Sequence, residues 1–337
     1  MKRTTAVTSL AFLLCLLVSA HAAQTTETVL DDLDNPSGLA VQPETGHVFV
    51  SDSGAGRVIR VVDGKREEVI VGFPQDIYGK GPMYGIGPLG LAFLDRNTLV
   101  VGGGGKPDGE ELLRVYEIPA AGQAALQADQ MTNSYKITAT EEIKGEGNFY
   151  ALAATKQAVF ATSNGDDTKG WINRLEIKQD GTLGEYKRFI ATKEATEIDA
   201  PVAIAISPAG DVVVGQMGEI SIPEDGLLTF YNAKTGKMLL NLDTGLYDIT
   251  GLAYSPQGQL YATDFAWMAT KEGGLFQLVA TNKDGKQGID AKKKLGLDKP
   301  SALAFGQNGE LYVTVFGTAD EGSDKKPGKL LKIGGEL

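Results

Sequence analysis

The sequence predicts an all-β fold, a six-bladed β-propeller of four-stranded antiparallel blades. Two observations carry this. A two-strand motif recurs six times, about every fifty residues, and an alternating third strand and a weaker fourth follow it. A spare strand before the first repeat also matches a strand missing from the last, so the N-terminal strand is expected to complete the final blade.

In chain order, the first element is a targeting segment. Lys2 and Arg3 precede an apolar core from Leu10 to Val18, and Ala20 and Ala22 are small residues at the positions a signal peptidase reads. Residues 1–22 are therefore expected to be a signal peptide, and 23–337 a single propeller domain, periplasmic or secreted, with no membrane insertion after cleavage. The spare strand follows as "TETVLDDL", Thr26 to Leu33.

The six repeats come next: "NPSGLAVQPETGHVFVSD", "GPLGLAFLDRNTLVVGG", "NFYALAATKQAVFATSN", "APVAIAISPAGDVVVGQ", "DITGLAYSPQGQLYATD" and "KPSALAFGQNGELYVTV". They align on Gly38, Gly90, Ala151, Ala203, Gly251 and Ala302, where small residues suit a crowded central channel. Third strands read "RVIRVVDG", "ELLRVYEI", "WINRLEI", "GLLTFYN", "GGLFQLV" and "GKLLKI". The segment from Ala120 to Met131 lies between strands and is expected to be a hairpin insertion.

Two glycine-rich stretches resemble phosphate loops and fail as such. In Ser51 to Gly56, no helical pattern follows, and Ile59 stands where a dinucleotide fingerprint needs its third glycine. In "VVGGGGKPDGEE", Val100 replaces the first glycine and Pro107 the Ser or Thr. Both are expected to be hairpins, with Asp52, Asn164 and Asp264 as turn-formers where second strands end.

"LDNPSGLAVQPETGHVFVSDSGAGRVIRV" resembles an NHL repeat, and "LDKPSALAFGQNGELYV" and "YDITGLAYSPQGQLYATD" match its first half. The resemblance implies the six-bladed, TolB-like propeller class, which includes scaffolds, lactonases and quinoprotein dehydrogenases, so it speaks to fold and not to function.

Composition narrows the chemistry. The formal net charge of −11 argues against electrostatic binding of nucleic acid. The only cysteine, Cys15, lies in the signal segment, which excludes disulfides from the processed chain. With His21 removed, His47 is the one histidine, so a multi-histidine zinc site is impossible. His47 follows a tight turn and is expected at the surface. A quinoprotein would need a well-placed histidine and basic residues, which this pattern lacks.

The tight turns fall on one face of the ring and the long loops on the other. The long loops carry Tyr78, Tyr84, Trp171, Phe265, Trp267 and Phe316, a candidate surface for a small-molecule or protein ligand. At the channel mouth, just before the first strands, stand Asn35, Gly87, Glu146 with Asn148, Asp199, Asp248 and Asp298. Carboxylate and amide oxygens suit Ca²⁺ or another hard divalent cation, so Glu146, Asn148, Asp199 and Asp248 are candidate metal ligands. Asp34, Asp199 and Asp298, each two residues before a proline, are alternatively turn caps. The main functional expectation is a ligand- or protein-binding module. The alternative is a divalent-metal-dependent hydrolase of the lactonase type, the gluconolactonase-like propellers holding their metal in such a ring.

Overall fold

The computed structural model describes residues 24–79, 81–165 and 169–335; the expected signal peptide, residues 1–22, lies outside them. Six antiparallel blades form a closed ring. Blade 1 runs Pro36–Val41, Val48–Asp52, Arg57–Val62 and Lys65–Val71. Blade 2 runs Pro88–Phe93, Thr98–Gly103, Leu113–Glu117 and a short outer Asn133–Tyr135. Blade 3 is Leu152–Ala154, Ala158–Ser163, Trp171–Ile177 and Leu183–Ala191. Blade 4 is Pro201–Ile206, Val212–Gln216, Gly226–Tyr231 and Met238–Leu246. Blade 5 is Ile249–Tyr254, Leu260–Asp264, Gly274–Lys283 and Lys286–Gly296. Blade 6 takes Pro300–Phe305, Leu311–Val315 and Gly328–Gly334 from the end of the chain and Thr25–Leu33 from its beginning.

That last pairing closes the ring as expected, with Thr25 opposite Gly334 and Leu33 opposite Gly328. The core is divided among six apolar clusters, one at each blade-to-blade contact. Phe49, Val58 and Ile70 of blade 1 meet Leu91, Leu99 and Val101 of blade 2, for example. Leu33 and Leu330 of blade 6 meet Leu39, Val50 and Ile59 of blade 1. Inner strands are covered on both faces, which is why "VFVSD" is buried at every position.

The small residues at the inner strands mark where neighbours approach closest. A Cβ on Gly38 would run into the Leu89 carbonyl oxygen of the next blade. One on Gly90 would lie 3.0 Å from Ala151 Cα, and one on Gly251 3.2 Å from Ala302 Cα. The hydroxyl row beside them ties blade to blade. Ser51 Oγ donates to Leu89 O (2.6 Å), Thr162 Oγ1 to Val202 O (3.3 Å), Thr250 Oγ1 to Pro300 O (2.8 Å) and Ser301 Oγ to Pro36 O.

One expectation fails. Ala120–Met131 is an insertion between two antiparallel strands of blade 2, Leu113–Glu117 and Asn133–Tyr135, but it does not form a hairpin of its own. Leu126–Gln127 crosses to blade 1 and pairs in parallel with Lys65–Val71, as a fifth strand. The reason is Arg60, a buried cation in the third strand of blade 1. It donates to the carbonyls of Pro119 (2.8 Å) and Ala120 (2.6 Å) while paired to Glu67. An uncompensated buried guanidinium is costly, so the insertion is held where its carbonyls can serve it.

The two false phosphate loops are turns. Ser53–Ala55 is a single 3₁₀ turn, ended by Gly56 in the left-handed region (φ 64°). Gly102 to Gly105 are packed tightly against Phe149, Glu111, Leu89 and Pro74, not open as a cradle.

Removing Thr26–Leu33 exposes the edge of Gly328–Gly334 and strips Leu33 from the last apolar cluster. An unpaired edge strand templates aggregation. The truncated protein should melt lower and lose solubility, as scanning calorimetry and light scattering would show. A soluble monomer with the parent melting temperature would refute closure by this strand.

Candidate functional site

The long-loop face opens into a cavity of about 530 Å³ over the axial channel. Of the residues entering the inner strands, Asn148 and Ala200 line it. In four blades that entry residue takes a left-handed backbone without being glycine: Asn35 (φ 49°), Asn148 (φ 49°), Ala200 (φ 52°) and Lys299 (φ 57°). Asparagine tolerates this region best, and the strain it tolerates here aims the chain at the axis.

One wall is aromatic. Tyr84 is the hub, its ring 5.1 Å from Phe316, 5.2 Å from Trp267 and 6.0 Å from Phe265, all edge-on. The Phe265 and Trp267 rings lie 5.0 Å apart. Tyr78 packs edge-on to Tyr150 at 5.7 Å and accepts a hydrogen bond from Asn164 Nδ2 (3.2 Å). The opposite wall is polar. Asn148 lines it beside Asp199, whose carboxylate is 2.6 Å from Lys193 Nζ. Lys193 reaches this position from Thr192–Thr196, a single helical turn after blade 3. The floor is Ser37, Tyr150, Thr250 and Ser301, and below it the channel narrows to about 70 Å³.

Of the aromatic candidates, Tyr78, Tyr84, Phe265, Trp267 and Phe316 line the cavity. Trp171 does not; its ring lies under the Arg188 guanidinium at 5.8 Å. Of the candidate metal ligands, Asn148 and Asp199 line the cavity, and Glu146 and Asp248 do not. Glu146 is fully buried, paired with Arg188 Nε at 2.8 Å, and accepts a short hydrogen bond from Ser163 Oγ. Asp248, 3% exposed, accepts from the Trp267 backbone N–H and so holds the loop of the aromatic wall. Among the described residues, no three or more His, Cys, Asp or Glu side chains group closely enough to hold a metal ion. Asp34 and Asp298 pair with Lys326 (2.8 Å) and Lys299 (3.5 Å), and His47 closes the Gln42–His47 turn.

The expected turn-formers divide. Asp52 Oδ1 accepts from Asp34 N (2.6 Å), and Oδ2 pairs with Arg57. Asp264 accepts from the N–H groups of Tyr247, Asp248 and Ala266. Each fixes the entry to its own blade's first strand. Asn164 lies one residue beyond the equivalent position, Ser163, and lines the cavity instead.

Tyr150 and Lys193 were not anticipated. Tyr150 had a signal in the repeats: the residues before the six alignment positions are Ser37, Leu89, Tyr150, Val202, Thr250 and Ser301, and only one is aromatic. Lys193 had none, since its position depends on the helical turn.

No protein-family model matches the chain, and no curated protein matches it closely. Solved structures share the fold. A proposed oxidoreductase (glucose dehydrogenase) of Thermus thermophilus superposes with a TM-score of 0.62 at 17% identity, over 92% of this chain and 100% of the other. The aldose sugar dehydrogenase of Streptomyces coelicolor, in its PQQ-bound form, gives 0.59 at 14%, over 94% and 100%. A gluconolactonase of Xanthomonas campestris gives 0.53 at 16%, over 92% and 89%. Identities this low show a common fold alone.

Burial pushes the Asp248 carboxyl up to about 7, with the Asp264 and Asp225 charges adding to it and the Trp267 N–H bond opposing. The folded state therefore keeps a proton that the unfolded chain releases near pH 4. This contribution to stability is full below about pH 4 and is lost as pH rises to about 7, on the order of a few kcal/mol. The melting temperature should fall between pH 5 and 7.5, and Asp248→Asn should flatten that slope. Equal slopes in parent and variant would place the proton elsewhere.

Proposed function

We propose that the protein is a binding propeller whose ligand is a small organic molecule seated in the axial cavity. The observation that carries this reading is the pairing of an aromatic wall, centred on Phe265 and Trp267, with the polar wall of Asn148, Asp199 and Lys193 across about 530 Å³. That volume falls within the range of small-molecule sites, which combine apolar lining with a few placed polar groups. An apolar ligand face would lie on the rings, and hydroxyl or carbonyl groups would reach the Asn148 amide and the Lys193–Asp199 pair. The folds related to this one are named for sugars and a sugar lactone, so aldoses and aldonolactones are the ligands to test first. Export through the N-terminal segment and membership of the NHL-like group belong to the same proposal.

A second reading, the divalent-metal-dependent lactonase, is favoured by Asn148 and Asp199 entering the cavity from adjacent blades. The donor set as arranged does not fit a divalent cation. Glu146 is committed to Arg188, Asp248 to Trp267, and the Lys193 ammonium stands against Asp199 where a cation would sit.

Trp267 and Trp171 are the only tryptophans, so Trp171→Phe leaves a reporter inside the cavity. Titration with aldoses and aldonolactones should give a saturable fluorescence change, and Asn148→Gly, which removes the amide and still accepts the left-handed backbone at this position, should weaken that binding by about tenfold, the worth of one hydrogen bond to a ligand, with little change in melting temperature. No saturable change across the panel would reject a sugar-type ligand. Calcium-dependent lactone hydrolysis, with melting curves that separate between calcium and chelator, would establish the second reading instead.

A further inference from the structure

The strands Asp76–Tyr78 and Tyr84–Ile86, between blades 1 and 2, pair only with each other. A lone two-stranded hairpin is marginal in water, so its position rests on what it touches. Among the described residues its polar ties are few. Asn35 Nδ2 donates to Gly85 O (3.1 Å), Gly87 N to Ser53 Oγ (2.9 Å), and Asn164 Nδ2 to Tyr78 Oη (3.2 Å). Its other anchors are the two tyrosines. Tyr84 reaches Phe265, Trp267 and Phe316 from blades 5 and 6, and Tyr78 reaches Tyr150 of blade 3. The pair thus straps the cavity mouth from one side to the other. At its outer end Ile77 is 65% and Met83 55% exposed; Ile86, where the second strand runs into blade 2, is buried and marks the fixed end of the strap.

Beneath each tyrosine lies a poorly satisfied buried donor: Trp267 Nε1 under Tyr84 has no hydrogen-bond partner, and Tyr150 Oη under Tyr78 has none of good geometry, its neighbour being the Tyr78 hydroxyl of the strap itself. Gly79 closes over the same indole, since a Cβ there would be 3.1 Å from Trp267 Cζ2. Burying such donors unpaired is unfavourable, and edge-on aromatic contacts offset that cost by a comparable amount. The covered arrangement is therefore balanced, not locked. Both donors belong to residues that line the cavity.

We propose that these two strands are a lid over a pair of ligand-binding donors. When the strands lift, Trp267 Nε1–H is uncovered on the aromatic wall and Tyr150 O–H at the floor. They then donate to oxygen acceptors of the ligand, such as hydroxyl, carbonyl or ester groups. This rests on the cavity being the binding site.

The test uses the full chain labelled with ¹⁵N-indole tryptophan and follows hydrogen exchange of the Trp267 indole. A lid that opens locally lets this proton exchange at a rate insensitive to low denaturant, at least about a hundredfold faster than the buried amides of Val213 and Val214. Tyr84→Ala should speed it about tenfold further, and Tyr84→Phe, which keeps the ring contacts, should stay within about twofold of the parent. If Trp267 exchanges with the core amides and shares their denaturant dependence, or if Tyr84→Ala leaves its rate unchanged, the lid is refuted. The measurement needs no ligand, so its failure leaves the fluorescence test of binding untouched. A failed titration with a normal exchange result would reject the sugar-type ligand and keep the lid.

Discussion

The close approach of six inner strands around one axis is the constraint from which the rest follows. Gly38, Gly90 and Gly251 leave no space for a Cβ between blades, and the hydroxyls of Ser51, Thr162, Thr250 and Ser301 bridge to the neighbouring backbone. In the row that holds Ser51 and Thr162, blades 2 and 4 have Gly102 and Gly215. A Cβ on Gly102 would meet the Phe149 carbonyl, and one on Gly215 would lie 2.5 Å from Ile249 Cγ2. In blades 1 to 4 each position is thus a bridging hydroxyl or a bare backbone; in blades 5 and 6 Thr263 and Thr314 stand there, and Thr250 and Ser301 of the first strands make the bridge. Six apolar clusters, rather than one core, form because each blade has to cover both its faces.

The same constraint explains the acids. Strands that converge need their entry turns fixed, and exposed water is scarce there. Asp52 and Asp264, buried at strand ends, collect backbone N–H groups that the turns would otherwise leave unpaired. Burial raises both carboxyls, and the N–H bonds hold them down only in part. Glu146 does the corresponding work with Ser163 and Arg188 in blade 3. Acids at a channel mouth therefore have a structural use that competes directly with metal ligation, and most of these are committed to it.

What remains free for chemistry lies on the loops. Related folds named as sugar dehydrogenases and a gluconolactonase share this frame at identities where side chains have diverged. The frame supplies a concave mouth, and the loops decide its content. Here the content is aromatic on one side and amide, ammonium and carboxylate on the other. Among the described residues, Asp199 is paired with Lys193, and the carboxylates of Asp108 and Glu219 also line the cavity.

The six repeats, the closing strand and the small-residue positions were legible in the sequence, because periodic burial writes itself into residue pattern. The aromatic wall was legible too, since large rings in glycine-rich loops stand out. Three things were decided only by tertiary structure. Arg60 redirected Ala120–Met131 to blade 1, because a buried charge seeks acceptors wherever the fold brings them. Arg188 and Trp267 claimed Glu146 and Asp248, which equal spacing along the chain made look equivalent to Asp199. Lys193 arrived beside Asp199 through a five-residue helical turn too short to show a period. Local pattern determines which residues are buried; which polar group meets which depends on distances between blades, and those exist only once the ring has closed.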